Sequence, residues 1–247
     1  MITTKLNSSN TADPKKCMKK SKNNCDLKSC SLCRLCLKDW LPAIDANRKN
    51  FDVKKGEVIF NEGDIVTGIY FVYKGTVKVH KKWGDEKELI VRFAKKGDIV
   101  GHRGLGKELF YPVSATALEP VTLCFIELDF FLSSLKVNSG FLFDLMMFFA
   151  EELKISERRM RDLGHMQVKG RIANSLLTLK EKFGTDENGH INIMLTRQDL
   201  ASFAGTTYET VFRIMNEFIE ESIISVSGKN ITVNNADKLL DFTRQDD

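Results

Sequence analysis

Hydrophobic and polar positions along the chain follow three successive rhythms. Residues 1 to 24 carry few large apolar side chains among Lys, Asn, Ser and Thr. Such a stretch has too little surface to offset the cost of ordering, and it reads as a flexible basic tail. From Phe51 the apolar runs are short and closed by glycine: EVIFNEGD, GIYFVYKGTVKVHKKWGDEKELIVRFAKKGDIVG and VSATALEPVTLCFIEL. Thr76-Val77-Lys78-Val79-His80 alternates, and turn signals recur at Gly56, Gly63, Gly75, Gly84-Asp85 and Gly97-Asp98. This spacing predicts one all-β barrel or roll over about residues 50 to 130.

Beyond it the period lengthens to that of a helix. Met146, Phe149, Leu153, Ser156, Met160 and Leu163 step by alternating three and four residues, a seam with a mean period of about 3.5. A long helix with this stripe either pairs with a copy of itself, giving a homodimer, or packs on its own β module. Gly164 is placed to end or bend it, and RIANSLLTLKEKFG (171 to 184) predicts a second amphipathic helix stopped by Gly184.

The stretch LTRQDLASFAGTTYETVFRIMNEFIEESIISVSGKNITV (195 to 233) reads as helix, tight turn at Gly205, helix, then two short strands joined at Ser227-Gly228-Lys229. That order predicts a winged helix-turn-helix. Thr196 with Asp199, and Thr206 with Glu209, have the offset of a capping box. On the second helix Val211, Ile214, Met215 and Phe218 share one face and Glu209, Arg213 and Asn216 the other. In the major groove of DNA, Arg donates two hydrogen bonds to guanine and Glu accepts from the cytosine amino group. The competing reading is that Glu209 only caps its helix, or pairs with Arg213 as a solvated ion pair.

Composition narrows the classes. A chain of 247 residues with 43% hydrophobic content can bury more than one core. The longest apolar run, FLFDLMMFFA (141 to 150), is too short to span a bilayer, and the N-terminus lacks the apolar stretch of a secretory signal. The expectation is a cytoplasmic protein with no membrane partner. A net charge of +4 permits nucleic-acid binding without demonstrating it. With no nucleophile–base pair, phosphate loop or HExxH string, nothing supports an enzyme over a regulator, although a small redox metalloprotein is the rival from another class.

CDLKSCSLCRLC (25 to 36) places Cys25, Cys30, Cys33 and Cys36 in twelve positions, with Cys17 upstream and Cys124 in the β region. In a reducing compartment such spacing points to metal ligands or redox thiols rather than to a disulfide. Three readings stay open. The C-x2-C-x2-C run suits an iron-sulfur cluster. Four nearby cysteines can close a tetrahedral zinc site without Cys124. A metal-free thiol switch would use thiolates favoured by Lys15, Lys16, Lys19, Lys20, Lys22, Lys28, Arg34 and Lys38. Cys124 itself reads equally as a ligand or as a small buried hydrophobe. His80, His102, His165 and His190 show no ligand spacing.

Taken together, KKGEVIFNEGD, GIYFVYKGTVKV, GDIVG and TRQDLASFAGTTYETVFRIMNEF make the chain resemble the CRP/FNR superfamily of transcription regulators, over about residues 40 to 240. The resemblance implies an α+β protein: an N-terminal β-roll (cupin-like, the cyclic-nucleotide-binding-domain fold), a long dimerisation helix and a C-terminal winged helix-turn-helix. The expected division is 1–24 tail, 25–140 cysteine segment and roll, 141–165 dimerisation helix and 166–247 DNA-binding domain. It implies a homodimer on a palindromic double-stranded promoter site, with RNA polymerase as a further partner. Glu209 and Arg213 match the family's base-reading positions; Tyr208 and Phe212 stand where its branches have arginine and serine. Thr196, Arg197, Gln198 and Lys229 are the expected phosphate contacts.

In the cyclic-AMP branch a Glu and an Arg-Ser pair hold the nucleotide. Here His102 stands at the Glu position and Val113 precedes Ser114. A buried phosphate without its arginine is costly, which argues against cyclic AMP while leaving another roll ligand open. In the FNR branch, N-terminal cysteines and one roll cysteine hold a 4Fe-4S cluster. Cys124 stands at that roll position, but Cys-x4-Cys-x2-Cys-x2-Cys departs from the family's Cys-x2-Cys-x5-Cys, so zinc remains the alternative.

Overall fold

The computed structural model describes residues 19–21, 26–28, 30–84 and 87–244. Cys17, Cys25 and most of the expected tail lie outside the described residues. Part of that tail departs from expectation: Lys19–Lys20 form strand β1 against Asp52 and Phe51. Main-chain pairing along an open edge needs no apolar side chains, which is why composition did not reveal it.

The roll is built from β2 (Arg48–Val53), β3 (Val58–Phe60), β4 (Gly68–Lys74), β5 (Val77–Trp83), β6 (Lys87–Ala94), β7 (Ile99–Val100), β8 (Ser114–Ala117) and β9 (Val121–Glu127). They form two sheets, in the orders β1-β2-β9-β4-β7 and β3-β8-β5-β6, and every pairing is antiparallel. Strand alternation decides what each face covers. In β9, Val121, Leu123 and Phe125 enter the roll's interior with Phe60, Tyr70 and Tyr111. Cys124 and Ile126, one residue out of phase, enter a second core on the outer face.

That outer core is covered by helices. The cysteine segment supplies α1 (Ser31–Leu35) and α2 (Leu41–Asn47), with a 3-10 turn at Lys38–Trp40 between them. The chain leaves β9 into α3 (Leu128–Val137), breaks at the buried Asn138, and enters α4 (Ser139–His165). Leu32, Cys33, Ile44, Phe131, Leu135, Phe141 and Leu145 meet Ile69 and Phe71 there. The long helix runs through Gly164 and ends one residue later.

The expected seam on α4 is split. Met146, Leu153 and Met160 are 55%, 60% and 64% exposed. Phe149, Ser156 and Leu163 are half-buried: Phe149 rings His102 of the roll, and Leu163 lies under Gly205. One row packs on the chain's own roll and turn, as the second reading expects, and the other row is exposed. The reason is geometric: positions three residues apart lie about 60° from one another around a helix, so the two rows face different neighbours.

The C-terminal part consists of α5 (Val168–Phe183), α6 (Arg197–Ala204), α7 (Tyr208–Glu220), β10 (Ile224–Ser227), β11 (Asn230–Val233) and α8 (Ala236–Asp241). Its core of Ile172, Leu176, Leu200, Ile214, Met215 and Phe218 also takes in Ile90 and Phe93 from β6. The helical part is thus docked on the roll. Arg159 of α4 joins three elements there, donating to the carbonyls of Ile90, Val91 and Phe203. Among the described residues no helix is long and apolar enough to cross a membrane.

Candidate functional site

The expected helix-turn-helix is present, and its local chemistry explains its shape. Thr196 caps α6: its hydroxyl accepts from Asp199 N–H at 3.0 Å, and Asp199 accepts from Thr196 N–H at 3.1 Å. Gly205 ends the helix at φ 66°, in the left-handed region, where a side chain would also strike Leu163. Glycine satisfies both demands. The second capping box is displaced. Thr206 donates its N–H to Ala201 O and so belongs to the turn, whereas Thr207 is the N-cap, accepting from Thr210 N–H at 3.3 Å. Glu209 therefore caps nothing and stands exposed in the first turn of α7.

Val211, Ile214, Met215 and Phe218 are buried under α7, as their spacing predicts. The opposite side carries two neighbouring i, i+4 ridges. One is Glu209 and Arg213, both exposed; Arg213 pairs at 2.5 Å with Glu217 rather than with Glu209. The other is Tyr208 and Phe212, whose rings stack with centroids 6.4 Å apart and planes 17° from parallel. Around them, Thr196 and Gln198 are exposed and Arg197 half-buried at the start of α6. Lys229 is exposed in the tight turn between β10 and β11. The Thr196 hydroxyl is already engaged by Asp199, so its availability to a phosphate is less than the sequence suggested.

Three arginines and an asparagine that position these parts carry no sequence signal, because each has partners far away in the chain that only the fold brings near. Arg171 of α5 donates to Met166, Ala204 and Gly205 carbonyls, fixing the turn. Arg159 ties α6 to the roll, and Asn138 joins α4 to the cysteine segment. Arg92 is the third, pairing with Glu152 of α4 at 3.4 Å.

In the roll, the residues that the resemblance aligns with a nucleotide site are engaged by other parts of the chain. His102 is buried against the rings of Phe148 and Phe149 of α4. Arg103 donates to Glu152 at 2.7 Å, and Ser114 Oγ accepts from Glu62 N–H at 2.9 Å. Burial pushes the His102 ring toward its neutral form. Burial alone would raise the Glu152 carboxyl, but His102, Arg92 and Arg103 outweigh it and hold the group at about 2.

Cys30, Cys33, Cys36 and Cys124 are all buried in the outer core, and no disulfide joins them. Cys30 caps α1, its sulfur accepting from Cys33 N–H at 3.4 Å. Cys30 and Cys124 line one small cavity with Phe71 and Tyr73. No three of the described His, Cys, Asp and Glu side chains converge tightly enough to close around an ion. The donor set is nevertheless all sulfur, shielded from water, which is the chemistry a soft metal centre takes. At Cys36 the direction differs from a lysine-favoured thiolate: burial, and then Cys30, push the thiol up to about 11. Desolvation disfavours the charged thiolate at that position.

Comparison with known proteins agrees with this layout. Residues 51–138 match the Cyclic nucleotide-binding domain and residues 170–242 the Crp-like helix-turn-helix domain. An anaerobic regulatory protein of Bacillus subtilis is 30% identical over 200 residues, covering 79% of this chain and 83% of that one. The cAMP-activated global transcriptional regulator CRP of Salmonella typhimurium is 31% identical over 180 residues, covering 71% and 84%. The structure of FixK2 from Bradyrhizobium japonicum superposes with a TM-score of 0.73 at 23% identity, covering 81% of this chain and 99% of that one. These relatives are regulators, not enzymes, and the chain belongs to the CRP/FNR family of DNA-binding transcription regulators.

Proposed function

We propose that this regulator works as a cytoplasmic homodimer that reads a palindromic promoter site through Glu209 and Arg213 and senses redox state or a gas through its cysteines. The observation that carries the sensing half is the direction of Cys124. It leaves the roll on the outer face and enters the same apolar core as Cys30, Cys33 and Cys36. A strand one residue out of register would bury it inside the roll instead.

A 4Fe-4S cluster held by Cys124 and three of Cys25, Cys30, Cys33 and Cys36 is the reading favoured over zinc. When bound, such a centre supplies an oxygen-labile link between the segment and the roll. At Cys36 burial pushes the thiol up, so without a metal that position does not favour a thiolate. Metal binding replaces that proton and so overcomes the cost of burying the thiolate. Cyclic AMP is disfavoured by the engagement of His102 with α4 and by Val113.

The exposed row of Met146, Leu153 and Met160 supports pairing through α4. Two copies related by a two-fold axis would present two α7 helices to half-sites about one helical turn apart. From that platform the protein would recruit or block RNA polymerase. Purification without oxygen, followed by iron, sulfide and zinc analysis, tests the sensor. Iron and sulfide in equal amounts, lost on exposure to air and absent from Cys124→Ala, are expected. Stoichiometric zinc, or no metal at all, contradicts the iron-sulfur reading.

A further inference from the structure

We infer that Tyr208 and Phe212 form an aromatic ridge that reads the 5-methyl group of a thymine in each half-site, beside the base pair addressed by Arg213. This rests on the DNA-reading proposal above and adds to it a base that the polar residues do not specify.

The two rings are 44% and 51% exposed, yet they are stacked on one another rather than dispersed. The core beneath α7 is already closed by Val211, Ile214, Met215 and Phe218. The pair therefore projects on the solvent side of α7, one residue step around the helix from Glu209 and Arg213. Single exposed apolar side chains need no explanation, but an ordered pair beside a polar reading edge does.

Phe212 has only carbon to offer. It neither donates nor accepts, so it cannot distinguish base edges by hydrogen bonding. In the major groove the one carbon substituent that marks a base is the thymine 5-methyl. Stacking on Tyr208 holds the Phe212 ring in place before DNA arrives, so little freedom is lost on contact. The exposed Arg213 and Glu209 supply hydrogen-bonding groups on the adjoining ridge. The surface thus suits a base edge better than the apolar face of another protein, which would leave those charges unpaired.

The test starts from duplexes that the full chain enriches out of a random pool. Each thymine is replaced in turn by deoxyuridine, which removes the methyl and nothing else. The expected result is one thymine per half-site whose replacement weakens binding about fourfold, and about fifteenfold when both half-sites are changed, as loss of one buried methyl predicts. Phe212→Leu, which keeps carbon at the contact, should retain a penalty. Phe212→Ser should bind thymine and uracil duplexes alike. Wild-type protein indifferent to every replacement, an enriched site without thymine, or a full penalty surviving in Phe212→Ser would each overturn the inference. Failure to enrich any duplex would strike the DNA-reading proposal itself, and this one with it.

Discussion

The backbone N–H of Leu37 donates to Asn138 Oδ1 across 2.7 Å, so the residue after Cys36 is bonded to the residue on which α3 ends and α4 begins. Asn138 in turn donates to Ser134 O at 2.8 Å, and Trp40 Nε1 donates to Ser134 Oγ at 3.0 Å while its ring stacks on Phe130. A rearrangement of the cysteine segment would bear directly on these bonds. They give the proposed signal a physical path to the long helix.

Asn138→Ala leaves the Leu37 N–H without its partner in a part-buried site. The expected cost is about 1–3 kcal/mol, seen as a lower denaturant midpoint with an unchanged slope. Amide exchange over residues 31–47 should quicken more than in the roll. Uniform protection across both regions would show that the contact holds nothing.

His102 gives a pH dependence of definite sign. Its folded-state pKa lies below the usual histidine value because burial penalises the charged ring. The unfolded chain therefore takes up a proton below about pH 6.5 that the folded chain refuses. Stability should fall as pH drops from 7 toward 5, by up to about 1.4 kcal/mol per pH unit from this group. His102→Leu, facing Phe148 and Phe149, should flatten that part of the profile. Parallel profiles for the two proteins would contradict the assignment.

Lys229 on the wing is expected to meet a phosphate, not a base. Lys229→Ala should weaken binding to enriched and scrambled duplexes alike, and reduce the slope of log affinity against log salt by about one per half-site. A loss confined to the enriched sequence would instead make Lys229 a reader.

Leu153→Glu and Met160→Glu place charge on the exposed row of α4 without touching any of the three cores. Thermal stability at low concentration should change little, because surface substitutions usually stay within about 0.5 kcal/mol. Sedimentation should shift from dimer toward monomer. A monomeric wild-type protein, or dimers unaffected by either change, would remove α4 as the pairing surface.

The modules were legible because each has its own period. Alternation marked β5, the three-four stepping marked α4, and the buried face of α7 fell where Val211, Ile214, Met215 and Phe218 placed it. What was not legible depends on tertiary neighbours. In CDLKSCSLCRLC only the cysteine spacing was legible; that its second half forms α1, capped by a cysteine sulfur and covered by α4, was not. Thr206 and Thr207 are equivalent in sequence, and only the Ala201 carbonyl decides which belongs to the turn. Basic residues around the cysteines suggested reactive thiolates, but burial of Cys36 reverses the sign. The Arg159 and Arg171 contacts reach carbonyls at least 33 residues away in five of their six bonds, beyond any local pattern.

The most direct measurement compares wild-type protein with Arg213→Ala on an enriched duplex and on a scrambled one of equal length and salt. Arg213 is exposed and its only described ion pair is the surface one to Glu217, so the variant should fold normally. Loss of a bidentate guanine contact should reduce affinity for the enriched duplex about tenfold or more per half-site while leaving the scrambled duplex nearly unchanged. Equal affinity of both proteins for the enriched duplex would mean that α7 does not read DNA through this arginine.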